Sequence, residues 1–248
     1  MTSNRSANNA VTNLDALIPQ LAQAIYSWLT YVEYTSNSHI LAESSVRYPL
    51  VEFVERRYGK IVDLEIKHPV LAGRRIDFAI CDGNDGEEEK EKVAYIELKY
   101  ARSWTRTSEE AQLIFNDLMR LALLSDEADC FFIMCGRSDD FIQNFKRIIK
   151  LSDKTIPTRT NDTEEKRIAM GVYSEFFGFT KGSEMNIDLP SQQGFVAKFK
   201  SDYNNVEISF NSFRTSLVEI LPKEEDNNSP QTVAIWRVEK TDSLTPNG

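Results

Sequence analysis

The sequence predicts a mixed α/β (α+β) chain in which helices flank a small central sheet, and three observations carry that expectation. Residues 14 to 32 place Leu14, Leu17, Ile18, Leu21, Ile25, Trp28, Leu29 and Val32 at the spacing of one helical face. Between residues 61 and 101, three apolar and β-branched runs, IVDLEIKHPV, RRIDFAIC and KVAYIELKYA, are separated by turn and loop residues. Helical spacing then returns in TSEEAQLIFNDLMRLALL, and DCFFIMCGR follows as a run too apolar and β-prone for anything but a central strand.

Each element has its own signal. Pro19 falls in the first turns of the opening helix. The segment HILAESSVRYPLVEFVERRYG reads as a second helix with Val46, Leu50, Phe53 and Val54 as its stripe, Pro49 as a bend or a late start, and Gly59 as its stop. The three extended runs predict an antiparallel meander. In the next helix Ala111, Ile114, Phe115, Leu118, Leu121 and Ala122 share a face, and Thr107 and Glu110 have capping-box spacing. SDDFIQNFKRIIK reads as a further amphipathic helix, and residues 151 to 170 as a polar, mobile connection. Beyond it, GFVAKFK, NNVEISFN, RTSLVEILP and QTVAIWRVEK all read as strands, forming either an added sheet or an extension of the first. The chain thus divides into a helix with a disordered start over 1–37, a core over 38–150, a β-rich extension over 151–240 and a disordered tail over 241–248.

Composition narrows the function classes. Of 248 residues, 41% are hydrophobic and 27% charged, which is ordinary for a globular chain able to bury a core. MTSNRSANNA is polar with no apolar run behind it, and CFFIMCG is too short to span a bilayer, so the expectation is a cytoplasmic protein with no membrane contact. Cys130 and Cys135, five apart on one predicted strand, face opposite sides and cannot pair. His39 and His68 stand away from the cysteines at no zinc-ligand spacing.

The net charge of -9 argues against a surface coated for nonspecific nucleic-acid binding, but its distribution is uneven. From Arg47 to Arg106 there are twelve Lys and Arg against twelve Asp and Glu, and DGNDGEEEKEK at 82–92 holds six of those acids and two of the bases. Outside that loop the stretch is locally basic, with Arg47, Arg74, Arg75, Arg102 and Arg106 prominent.

The charges inside the strands are the sharper signal. Strand side chains alternate, so in VAYIELKYA Tyr95, Glu97 and Lys99 point one way while Ile96, Leu98 and Tyr100 point the other. The charged face is either solvated or lines a site. In RRIDFAI the same alternation sets Asp77 apart from Ile76, Phe78 and Ile80. Neighbouring strands lie about 4.8 Å apart, close enough for Asp77 and Glu97 to share one cation. Two carboxylates, a backbone carbonyl and a nearby lysine are the parts a metal-dependent phosphodiesterase needs.

On Asp77, on Glu97 with Lys99, on Glu43 in ILAESSVRYPL and on the αβββαβ order of residues 38 to 150, the chain resembles the PD-(D/E)xK nuclease superfamily, the restriction-endonuclease-like fold. ESSVRYPLVEF also looks like the Glu-x-x-x-Arg first helix of such nucleases, with Glu43 and Arg47 on one face. The resemblance implies a nuclease dependent on Mg²⁺ or Mn²⁺, acting on DNA or RNA, in prokaryotic restriction, repair or defence. It implies that Asp77, Glu97 and the Leu98 carbonyl hold the metal, that Lys99 handles the attacking water, and that Glu43 supports the metal or orients Lys99. Two departures stand out: Ile76 precedes Asp77 where the family has proline, and twenty residues separate Asp77 from Glu97.

Other assignments stay open at this level. Glu43 could instead form a surface ion pair with Arg47. Gln112, an accessory polar contact on one reading, is a solvated helix residue on the other. Arg102, Trp104 and Arg106 alternate in ARSWTR, where they either meet a nucleic-acid backbone and base or form an edge loop whose tryptophan packs inward. The acidic loop, if beside the site, would repel DNA. The competing function is a noncatalytic module of the same fold that docks a basic protein partner, and a homodimer would suit double-strand cutting.

Overall fold

The computed structural model describes residues 14–35, 37, 40–83, 90–101, 107–138, 176–179, 181–222 and 230–241. Residues 84–89 of the acidic loop, Arg102, Trp104 and Arg106, His39, the helix expected over 139–150, the connection 151–170 and both chain ends lie outside the described residues. The side chains of Thr107 to Glu110, including the capping-box pair, do so as well.

Periodicity turns into helices where it is strongest. The Leu14–Ile25–Leu29 stripe forms α1, Leu14–Tyr34, with Pro19 inside it. The second helix, α2, begins at Glu43 and ends at Tyr58. It starts there because the Ser45 hydroxyl accepts the Ala42 N–H at 3.0 Å, a donor that a helix start leaves free, and donates to the Ala42 carbonyl at 2.7 Å. Gly59 stops it at φ 62°, a left-handed conformation that glycine adopts without strain.

Strands β1 (Ile61–Lys67), β2 (Arg75–Asp82) and β3 (Glu91–Ala101) form the expected antiparallel meander. Helix α3, Thr107–Ala122, crosses over and returns the chain as β4, Asp129–Arg137, parallel to β3. The C-terminal part joins the same sheet: β5 (Glu184–Asp188), β6 (Ser212–Leu221) and β7 (Gln231–Thr241) complete a seven-stranded mixed sheet of order β1-β2-β3-β4-β7-β6-β5.

Two segments of the C-terminal part differ from the sequence reading. GFVAKFK is not a strand but most of helix α4, Gln193–Asp202. Phe195, Val196 and Phe199 follow helical spacing, and a 3₁₀ turn, Leu189–Gln192, launches the helix after Asp188 accepts the Ser191 N–H. NNVEISFN is not a strand: Asn204 and Asn205 form a turn at φ 55° and 56°, and the residues after them join no ladder. Val206, Ile208 and Phe210 pack on the core, but its backbone pairs with no strand. The strand that sequence reasoning passed over, EMNID, forms β5 on the outer edge.

Alternation sorts the strand side chains into two cores, one on each face of the sheet. On β4, Phe131, Ile133 and Cys135 pack with α1 and α2, while Cys130, Phe132 and Met134 pack with α3. Cys130 and Cys135 therefore sit in different cores, and Cys81, Cys130 and Cys135 are free thiols. On β3, Ala94, Ile96 and Leu98 take the α1–α2 side and Tyr95 takes the α3 side. The Glu97–Lys99 face of β3 accordingly points toward α3. No helix among the described residues is long and apolar enough to cross a membrane.

Candidate active site

The antiparallel ladder between β2 and β3 runs from Asp82↔Glu91 to Phe78↔Ile96 and stops there. The next residues, Asp77 and Glu97, come at the point where the strands part. In place of a ladder bond, the Leu98 N–H donates to Asp77 Oδ2 at 2.9 Å. On the other side of β2 the register passes from Leu64↔Phe78 to Ile66↔Ile76, skipping Glu65, whose φ of 50° is rare for a side-chain-bearing residue in a strand.

Side chains from both layers meet at this opening. Arg47 of α2 passes the ring of Phe78, 5.9 Å from its centre, to reach Asp77 Oδ1 at 3.2 Å. The same guanidinium binds Glu65 at 2.5 Å and stands 3.8 Å from Glu43. Glu43 also feels Lys99, Asp77 and Asp117, and burial raises its pKa above the ordinary value. Glu43 thus lies within the electrostatic reach of Asp77 and Lys99, and its ion pair with Arg47 belongs to the same cluster. Arg47 is ion-paired to three carboxylates, with 27% of its side chain still exposed.

Under α3 the second half of the cluster is buried. Glu97 is 2% exposed, and Arg120 Nη2 lies 2.8 Å from its Oε1. That guanidinium spends its hydrogen bond on Asp117 Oδ1 at 2.6 Å, so Glu97 Oε1 keeps no hydrogen-bond partner among the described residues. Asp117 Oδ2 stands 3.1 Å from Lys99 Nζ. Burial above all, then the neighbouring Asp117 and Asp77 carboxylates against the opposing pull of Arg120, hold the Glu97 carboxyl well above the usual carboxylate range.

Asp117, Arg120 and Glu65 were not singled out in the sequence, although each had a signal. Asp117 lies three residues after Ile114 and four before Leu121, so it interrupts the buried stripe of α3, with Arg120 one turn on. In IVDLEIK, alternation puts Glu65 on a face with Asp63 and Lys67. His68 also has more to do than end a strand. Its Nδ1 accepts the N–H groups of Val70 and Leu71, each at 3.1 Å, so its Nε2–H donates to the Arg120 carbonyl at 3.1 Å. Burial lowers its pKa to about 4.

The remaining candidates lie farther out. Gln112 is half-buried rather than solvated, its amide donating to Asn116 at 2.8 Å and to the Phe195 carbonyl at 3.1 Å, so it joins α3 to α4. Arg75 is exposed at the start of β2, two residues before Asp77. Arg74 donates to the Asp202 carbonyl at 2.8 Å and covers the Tyr203 ring at 4.8 Å, on the wall of a cleft of about 410 Å³. The Tyr203 phenol in turn reaches Arg120.

No family model, no curated protein and no solved structure matches the chain.

A divalent cation fits the chemistry of the opening in two respects. Glu43, Glu65, Asp77, Glu97 and Asp117 face Arg47, Lys99 and Arg120, so five carboxylates meet three cations and two formal negative charges are left over. One of those carboxylates presents a buried oxygen with no hydrogen bond. Against this, no group of three or more His, Cys, Asp or Glu side chains among the described residues is arranged to hold a metal by itself. A cation here would rest on Asp77, Glu97, a backbone carbonyl and water.

Proposed function

We propose that the chain is a divalent-cation-dependent phosphodiesterase acting on nucleic acid, DNA foremost and RNA as the alternative substrate, in the manner of the PD-(D/E)xK nucleases. The reading rests on one observation above the others: Asp77 and Glu97 converge where the β2–β3 ladder opens, with a buried Glu97 oxygen lacking a hydrogen bond. Asp77, Glu97 and the Leu98 carbonyl are the groups that would hold Mg²⁺ or Mn²⁺. When bound there, the ion supplies Lewis-acid polarisation of the scissile phosphate.

The chain's own residues do the rest. Lys99 places an ammonium beside the two carboxylates, where it orients the attacking water and offsets charge growing on the phosphate. Glu43, at the positive end of α2, orients Lys99 from the opposite layer. Arg47 locks Asp77 in place through its ion pair and fixes Glu43 relative to it. Arg74 and Arg75 lie on the approach to Asp77 and suit phosphates flanking the cleaved bond.

The direct test is purified protein with supercoiled plasmid and with single-stranded RNA, in Mg²⁺ or Mn²⁺ and in EDTA. Cation-dependent cleavage that disappears in Asp77→Ala is the expected result. No cleavage of either substrate, or undiminished cleavage by Asp77→Ala and Lys99→Ala, overturns the reading.

A second reading is favoured by the arginines. Arg47 on Asp77 and Arg120 on Glu97 already neutralise both proposed ligands, as suits a noncatalytic module of the same fold that binds a protein partner. Calorimetric titration with MnCl₂ separates the two, because the module would bind no ion at Asp77 and Glu97.

A further inference from the structure

Lys99, Asp117, Arg120 and Glu97 close a ring of charges. Lys99 and Glu97 are two apart on one face of β3, and Asp117 and Arg120 are three apart on α3 above them. Asp117 is the hinge of the ring, since one oxygen meets Lys99 at 3.1 Å and the other takes the Arg120 hydrogen bond at 2.6 Å. It is 4% exposed, so both contacts act in a setting where water weakens them little.

The direction of the Arg120 hydrogen bond matters most. Its Nη2 is within 2.8 Å of Glu97 Oε1, yet its N–H points to Asp117 and Oε1 is left without a hydrogen bond. A guanidinium between two buried carboxylates would otherwise hydrogen-bond both. We propose that Asp117 is a positioning residue of this site: it takes the hydrogen bond of an Arg120 that stays ion-paired to Glu97, so that Glu97 Oε1 keeps its hydrogen-bonding capacity for a divalent cation, and it holds the Lys99 ammonium beside it. The proposal rests on the reading of Asp77 and Glu97 as cation ligands.

A carboxylate that merely neutralised a buried arginine would predict that Asp117→Asn and Arg120→Gln damage the protein alike. Positioning predicts opposite signs. In Asp117→Asn the guanidinium loses its better acceptor and falls onto Glu97, so cation affinity drops. In Arg120→Gln the competitor for Glu97 is gone, so cation affinity rises.

The experiment is calorimetric titration of the full chain with MnCl₂ alone, in wild type, Asp117→Asn and Arg120→Gln, with circular dichroism confirming that each variant is folded. The expected result is a dissociation constant about tenfold or more weaker in Asp117→Asn and tighter than wild type in Arg120→Gln. Kinetically, Asp117→Asn lowers kcat with KM for DNA unchanged, and Asp117→Glu restores part of it. Movement of both dissociation constants in one direction, or a wild-type constant in Asp117→Asn, overturns the proposal while leaving the cation reading intact. Wild type that binds no Mn²⁺ overturns the cation reading itself and the proposal with it. If Asp117→Asn does not fold, Arg120→Gln decides alone, a weaker or unchanged constant being the overturning outcome.

Discussion

Asp77 accepts the backbone N–H of Leu98 at 2.9 Å, so one side chain closes the gap that two separating strands leave in their ladder. The contact gives Asp77 a structural duty besides the one proposed for it in cleavage. A substitution can be chosen to split the two. Asparagine keeps an acceptor for the Leu98 N–H while losing the charge. Asp77→Asn is expected to retain stability to within about 1 kcal/mol and Asp77→Ala to lose roughly 1–3 kcal/mol, because a buried donor is left unpaired. Both should lose cleavage by roughly a thousandfold. Urea unfolding and plasmid cleavage, run on both variants, read the two duties separately.

Lys99 Nζ stands 3.1 Å from Asp117 Oδ2, on the same face of β3 as the proposed cation ligand Glu97. Its loss should therefore act on the reaction step more than on binding. Lys99→Ala is expected to lower kcat by about 100- to 1000-fold with KM little changed, measured on a fluorescent duplex. A rise in KM with kcat unaltered would assign Lys99 to substrate binding instead.

His68 makes stability depend on pH with a defined sign. Its folded pKa is lowered to about 4 from an ordinary 6.5, so between those values the unfolded chain binds the proton that the folded chain refuses. Its contribution is full above pH 6.5 and is lost as pH falls toward 4. Glu97, with its raised pKa, contributes in the opposite sense. The difference in urea midpoint between wild type and His68→Asn, followed from pH 7.5 to 4.5, isolates the histidine and should narrow steadily on acidification. A gap that stays constant would show that His68 titrates alike in both states.

Gly136, beside the last residue of β3, admits no side chain. A β-carbon there would lie 2.9 Å from the Ala101 carbonyl oxygen and 3.1 Å from the Ala101 β-carbon. Both obstacles belong to a paired strand and cannot swing away. Gly136→Ala should cost about 1–3 kcal/mol, seen as a lower denaturant midpoint with an unchanged slope.

The strands of the site were legible in part because period two is a short-range signal: Glu97 and Lys99 share a face of β3 as expected, but on β2 Ile76 packs in the α3-side core while Phe78 and Ile80 pack in the other, so the alternation breaks beside Asp77. Asp77, Glu97 and Lys99 could be put in phase from RRIDFAI and YIELKYA alone, and Glu43 from its spacing to Arg47. The α3 contribution was not legible in the same way. Asp117 and Arg120 belong to a helix read for its apolar stripe, and only the docking of that stripe onto β3 shows that the stripe carries charge into the interior. The missed helix α4 has a different cause. Seven residues with Phe195, Val196 and Phe199 satisfy a strand composition and a helix spacing equally, and the Asp188–Ser191 turn before them settles which forms.

The ends of the acidic loop leave the sheet at Asp82 and Glu91, the far end of the ladder from Asp77. Five residues of strand separate Asp82 from Asp77, roughly 16 Å along the sheet. The Debye length at physiological ionic strength is about 8 Å, so repulsion between those loop ends and a phosphate at the opening is attenuated to roughly an eighth. Dilute buffer lifts that attenuation. Ionic strength thus becomes a control on substrate approach, with the acidic ends of the loop felt most strongly in the least salt.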